Sequence, residues 1–141
     1  MEPCLTAAVV PAIHLDTNAL IALADPAEGI VAIVRERAMA GSLPAASAVA
    51  WHELVRGPLT ADELLRVERV VGDRIQPVTR STSELAARLF NATGRRRAST
   101  ADCFIAASAI ESGAGLLTAN TEDFAPFIPL GLHLVGEGGT K

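Results

Sequence analysis

The sequence predicts an α/β fold of three layers, α/β/α, around a central parallel sheet of four or five strands. Three observations carry that expectation. Short continuous apolar runs recur at residues 9–15 (VVPAIHL), 115–119 (GLLTA) and 131–135 (GLHLV), without the alternation of a strand that faces water on one side. Helical patterns separate successive runs, as parallel crossovers require. From Ala101 to Ile110 the sole strongly polar side chain is Asp102, and a helix apolar on nearly all sides is a buried one.

The chain of 141 residues suits one domain over 1–141, with loose ends at about 1–8 and 136–141. Half of its residues are apolar and only 4% aromatic, so Ala, Val, Leu and Ile make the core. No apolar run is long enough to span a membrane, and the first residues lack a charged-then-apolar leader, so a soluble cytoplasmic protein with no membrane partner is expected. Cys4 and Cys103 are too few for a disulfide framework or zinc cluster, and Cys103 suits a small hydrophobic role. A net charge of −4 opposes the basic footprint of nucleic-acid binders. Lys141 is the only lysine, however, and arginine, whose fork suits phosphate, supplies every other basic side chain.

Taken in order, the run at 9–15 ends in Asp16, Thr17 and Asn18, with a helix starting at Thr17. Asp16 therefore stands at the carboxyl end of a strand, where ligands sit in such sheets, or serves as N-cap. Asp25 and Pro26 read as a helix start and Gly41 as its stop, with an apolar stretch at 30–34. An extended piece follows, and Ser47 caps a helix over 48–57. Glu53 lies inside that helix with no capping role; it pairs with Arg56 at i+3, faces water, or does chemistry. His52 and Glu53 do not make a zinc-protease motif, because Arg56 stands where its second histidine belongs. His52 reads instead as a surface or packing residue.

Residues 60–71 and 83–93 are amphipathic helices, with apolar rows at Leu64, Leu65, Val67, Val70 and Val71, then Leu85, Ala86, Leu89 and Phe90. Between them RIQPV is a short strand weakened by Pro77. Gly94 ends the second helix, and Arg95, Arg96 and Arg97 form either a solvated loop or a phosphate clamp ahead of Asp102. Capping boxes are predicted at Thr60/Glu63, Ser81/Glu84, Ser99/Asp102 and Asn120/Asp123, so capping alone is sufficient reason for Asp102 and Asp123.

Function rests on convergence. Asp16 ends the first strand, Asp102 starts the buried helix, Glu53 comes from a third segment, and Asn120 and Asp123 follow the strand at 115–119, which should lie beside the first. Four oxygen donors from four parts of the chain suit a hard cation, Mg²⁺ or Mn²⁺, and no His or Cys cluster competes for a softer one. Such an ion polarises a phosphoryl oxygen and lowers the pKa of bound water, which is the chemistry of phosphodiester hydrolysis.

Four stretches carry a family resemblance: HLDTN at 14–18, ELVRG at 53–57, DCFIAASA at 102–109 and LLTANTEDF at 116–124. In this order and spacing they resemble the PIN-domain signature, and more narrowly the VapC-type toxins of toxin–antitoxin pairs. The resemblance implies a PIN-like fold, Mg²⁺- or Mn²⁺-dependent endoribonuclease activity, inhibition by a VapB-type antitoxin, and homodimers within larger toxin–antitoxin assemblies. By position, Asp16, Glu53 and Asp102 match the first three acids of the PIN site, Thr17 and Asn18 the polar residues beside the first, and Thr118 a site-lining hydroxyl. At the fourth position either Asn120 or Asp123 serves, and one or two ions are accommodated. The implied catalytic set is Asp16, Glu53, Asp102 and Asp123, with the metal held by these and Asn120 and RNA phosphates met by Arg95, Arg96, Arg97 or Arg56. The apolar helix at 30–34 and the Trp51 helix are expected to receive an antitoxin segment.

Rival readings are a catalytically silent PIN-like module that binds RNA or protein, and a DNA-directed nuclease. A third, a phosphohydrolase of the haloacid dehalogenase type, meets Asn18 where its second Asp belongs and has no internal lysine.

Overall fold

The computed structural model describes residues 12–94 and 99–136. Five strands form one all-parallel sheet: β1 (Ala12–Leu15), β2 (Leu43–Ser47), β3 (Ile75–Gln76), β4 (Gly115–Thr118) and β5 (His133–Gly136). Their order is β3-β2-β1-β4-β5. Among the described residues seven helices flank it: α1 (Thr17–Ala22), α2 (Gly29–Met39), α3 (Ala48–Val55), α4 (Ala61–Val71), α5 (Arg80–Ala92), α6 (Thr100–Ser112) and α7 (Thr121–Phe124), the last running into a 3₁₀ turn. This is the α/β/α architecture expected.

The order explains where a site can form. The chain steps outward from β1 to β2 and β3, then returns to the other side of β1 as β4 and β5. Strand order thus reverses between β1 and β4, and the crevice beyond their carboxyl ends is where such sheets hold ligands. β1 and β4 are in register through Ile13 with Gly115, His14 with Leu116 and Leu15 with Leu117. Ile13, Leu15, Leu116 and Leu117 are all buried, as strands covered on both faces must be. Gly115 is needed for β5 to approach, since a Cβ there would meet a Val135 methyl at 3.0 Å. Burial lowers the His14 pKa to about 4, so its imidazole is a neutral core group at physiological pH.

Several local expectations hold. Ser47 caps α3 through Ala50 N–H, and Thr60 and Glu63 form a full capping box on α4. Gly41 and Gly94, past the ends of α2 and α5, have φ of 100° and 89°, a region that costs glycine nothing. Cys103 is buried in α6.

Others need correction. α2 starts at Gly29, not Pro26: Asp25 Oδ1 accepts Ala27 N–H at 3.0 Å and closes a separate turn. α5 starts at Arg80 with Thr79 and Thr82 as its capping box, because Ser81 and Glu84 are engaged elsewhere. The Ser81 hydroxyl bonds Glu111 on α6, and Arg80 Nε donates to Glu84 at 2.9 Å. Leu65, expected in the apolar row of α4, is 42% exposed. Gly136, expected in the loose tail, ends β5.

Candidate active site

α1 begins immediately after β1, so its first turn and Asp16 face the crevice between β1 and β4. Asp16 is the N-cap: Oδ1 accepts Ala19 N–H at 2.8 Å. Its other oxygen, Oδ2, accepts the Thr118 hydroxyl from the end of β4 at 2.5 Å. Thr118 Oγ1 in turn accepts Asn120 N–H at 2.8 Å, so strand and following loop are locked to the carboxylate. Asp16 is only 3% exposed. The same carboxylate thus caps α1 and lines the cleft.

Glu53 comes from α3. Its Oε1 accepts the Thr17 hydroxyl at 2.5 Å, a bond between two elements far apart in sequence. Its Oε2 lies 3.7 Å from Arg56 Nη2, and the Glu53 side chain is 24% exposed. The expected i+3 pair with Arg56 is thus present, and Glu53 points into the cleft, not out to water. Asp102 sits in the first turn of α6, where its N–H donates to Ser99 Oγ at 3.0 Å. One cleft of about 340 Å³ is lined by Asp16, Thr17, Asn18, Glu53, Arg56, Asp102 and Asn120.

The electrostatics mark these groups as one unit. Burial pushes the Asp16 carboxyl above its ordinary value, opposed by the Thr118 and Ala19 bonds and aided by the charges of Glu53 and Asp123. Burial likewise raises Asp102, assisted by Asp123, Glu53 and Asp16 and opposed by Ser99. Asp123 is exposed at the start of α7, but both the buried Asp16 and the half-buried Asp102 feel its charge. Its N–H bonds the Asn120 carbonyl, and Asn120, the N-cap of α7, makes no side-chain cap.

Three carboxylates gathered around the single Arg56 guanidinium among the described lining residues repel one another, and a hard divalent ion relieves that charge. The donor set fits such an ion, being oxygen throughout. Among the described residues no three His, Cys, Asp or Glu groups converge into a ready-made cage. Mg²⁺ does not need one, because it keeps several waters and takes one or two carboxylates.

Of the residues expected at the site, Asp16, Thr17, Asn18, Glu53, Asp102 and Asn120 line the cleft, Thr118 supports it from beneath, and Asp123 acts on it through charge. Arg56 reaches the rim. Arg95, Arg96 and Arg97 lie outside the described residues. His52 is exposed on α3, consistent with a surface role. Sequence reasoning missed the apolar wall made by Ile21, Pro58, Ile105 and Phe124. Ile21 was accessible to it, standing three and four positions from Asn18 and Thr17 on one face of α1.

Among known proteins, the PIN domain family matches residues 13–126. No match was found among curated proteins. Solved structures with a similar fold include VapBC2 from Rickettsia felis bound to a DNA fragment from its promoter, 16% identical with a TM-score of 0.73, the alignment covering 89% of this chain and 98% of that one. FitAcB from Neisseria gonorrhoeae is 20% identical with a TM-score of 0.69, covering 91% and 99%. DNA-bound VapBC from Salmonella typhimurium is 18% identical with a TM-score of 0.66, covering 89% and 98%.

Proposed function

Since the chain belongs to the PIN domain family, a family of nucleases, we propose that it is a Mg²⁺- or Mn²⁺-dependent endoribonuclease acting as the toxin of a toxin–antitoxin pair. The observation that carries this reading is the convergence of Asp16, Glu53 and Asp102, from three separate elements, on one cleft at the point where strand order reverses. Capping accounts for Asp16 and Asp102 singly but not for Glu53, which caps nothing.

Asp16 and Asp102 would hold the ion, with Asn120 or Asp123 completing the wall. The bound ion would supply charge to the phosphoryl oxygen and leaving group and lower the pKa of a water. Glu53, fixed by Thr17, would share in holding the ion or orient a water beside it. Thr118 and Ala19 hold the Asp16 carboxylate in a single orientation, so little reorganisation accompanies the chemistry. The described part of the cleft presents Arg56 to a flanking RNA phosphate, and Arg95, Arg96 and Arg97 precede α6 in sequence to meet others.

Two of the similar structures are named VapBC and another, from Klebsiella pneumoniae, a toxin–antitoxin complex, which supports a VapB-type antitoxin as partner; homodimers in a larger assembly are part of the same proposal. The α2–α3 surface is its proposed seat. Trp51 is half-buried against the core, whereas Val55 on the same helix is 50% exposed. Val55→Glu should therefore abolish antitoxin capture while thermal unfolding stays as in wild type; unchanged capture would move the seat elsewhere.

The deciding experiment incubates purified protein with end-labelled total RNA in Mg²⁺ or Mn²⁺, with EDTA and Asp16→Asn as controls. Discrete fragments lost in both controls establish the activity. Equal behaviour of wild type and variant would leave a binding module, and cleavage of DNA alone would make it a DNA-directed nuclease.

A further inference from the structure

Among the described residues that line the cleft, Arg56 is the single cation. Its partner, Glu53, has two oxygens in unequal situations. Oε1 is committed to the Thr17 hydroxyl. Among the described residues the partner of Oε2 is the Arg56 guanidinium, at 3.7 Å, too far for a hydrogen bond, with the Arg56 side chain 65% exposed. The Glu53 oxygen open to an incoming cation is therefore the one already shadowed by a cation of the protein itself.

We propose that Arg56 is a positioning residue that competes with the divalent ion for Glu53 Oε2 and, once displaced, receives a backbone phosphate of the RNA, so that ion and RNA bind cooperatively. This rests on the metal-dependent ribonuclease reading above. A dication and a guanidinium at one carboxylate oxygen repel each other, so occupancy by one disfavours the other. Arg56 loses little on leaving, because an exposed ion pair of this length is weak. Its stem is long and the planar fork matches two phosphate oxygens. An RNA phosphate that draws Arg56 away lowers the opposition to the ion, and by linkage the ion strengthens RNA binding by the same factor.

The test titrates Mn²⁺ calorimetrically into the full chain, first without nucleic acid. Arg56→Gln should bind Mn²⁺ about two- to fivefold more tightly than wild type, the range that removal of a weak ion pair supports. Arg56→Lys, which keeps the charge, should stay near wild type. Repeated with a saturating 2′-O-methyl phosphorothioate oligoribonucleotide, the titration should show tighter Mn²⁺ binding by wild type, and Arg56→Gln should lose that coupling. Unchanged or weaker Mn²⁺ binding by Arg56→Gln, or coupling that survives the substitution, would overturn the inference while leaving the nuclease reading intact. A wild type that binds no Mn²⁺ would overturn both.

Discussion

The ionised carboxylate of Asp102 is disfavoured by the fold. Its carboxyl is raised above the ordinary value of 3.8 by burial first and by the charges of Asp123, Glu53 and Asp16 next. A raised acid contributes stability below pH 3.8 and loses it as pH climbs through its higher folded value, so at neutral pH the ion-free protein holds an unfavourable charge. Asp102→Asn keeps the shape and removes the charge. The variant should unfold at a higher temperature than wild type near pH 7 in EDTA, and the difference should shrink as pH falls into the carboxylate range. RNA cleavage by the same variant should fall at least about a hundredfold, as for loss of one preorganised electrostatic contact. Scanning calorimetry across pH beside a cleavage assay reads both. Asp102→Asn less stable than wild type at pH 7 would mean that the carboxylate is structural.

At the scale of an element, the two capping sites that look alike in sequence separate in the fold. Thr60 with Glu63 on α4 and Ser99 with Asp102 on α6 were indistinguishable as patterns. Thr60 closes a reciprocal box with Glu63 away from the cleft lining, whereas Ser99 holds the N–H of an acid lining the cleft and pulls its carboxyl pKa back down. Thr60→Ala and Ser99→Ala should each cost about 1 kcal/mol of stability. Only Ser99→Ala should shift the pH dependence of Mn²⁺ binding toward higher pH, because Asp102 then ionises later. A shared shift, or none in either, would reduce Ser99 to a cap. Element boundaries show the same limit on legibility. Asp25-Pro26 reads as a helix start, yet the Asp25 side chain turns onto Ala27 N–H and α2 begins at Gly29. Thr79 outcompeted Ser81 as a cap because Ser81 and Thr82 also reach Glu111 across α5 and α6, a contact that local pattern does not contain.

Across the whole molecule, the parallel order of strands was legible because continuous apolar runs and alternating helices leave few alternatives, and the place of Asp16 followed from that order. The chain could not reveal the bonds that hold the acids still: Thr118 to Asp16 spans 102 positions and Thr17 to Glu53 spans 36. Those bonds hold the charges of Asp16, just past β1, and Glu53 on α3 beside that of Asp102 on α6, at one end of a protein whose net charge is already −4. Folding therefore proceeds against electrostatic repulsion in the absence of a counter-ion, and a dication that binds only the folded site must stabilise the whole chain. At free Mn²⁺ of 100 times its dissociation constant the gain is about 2.7 kcal/mol. Denaturant unfolding with and without Mn²⁺ should show that increase in wild type, reversed by EDTA. Asp16→Asn should show little of it, since the residue that joins β1 to β4 through Thr118 is also a proposed ligand. The midpoint should move while the denaturant slope stays constant, because the surface exposed on unfolding is the same. A stabilisation that Asp16→Asn retains in full would place the ion away from the cleft and break the link between the charge gathered there and the chemistry proposed for it.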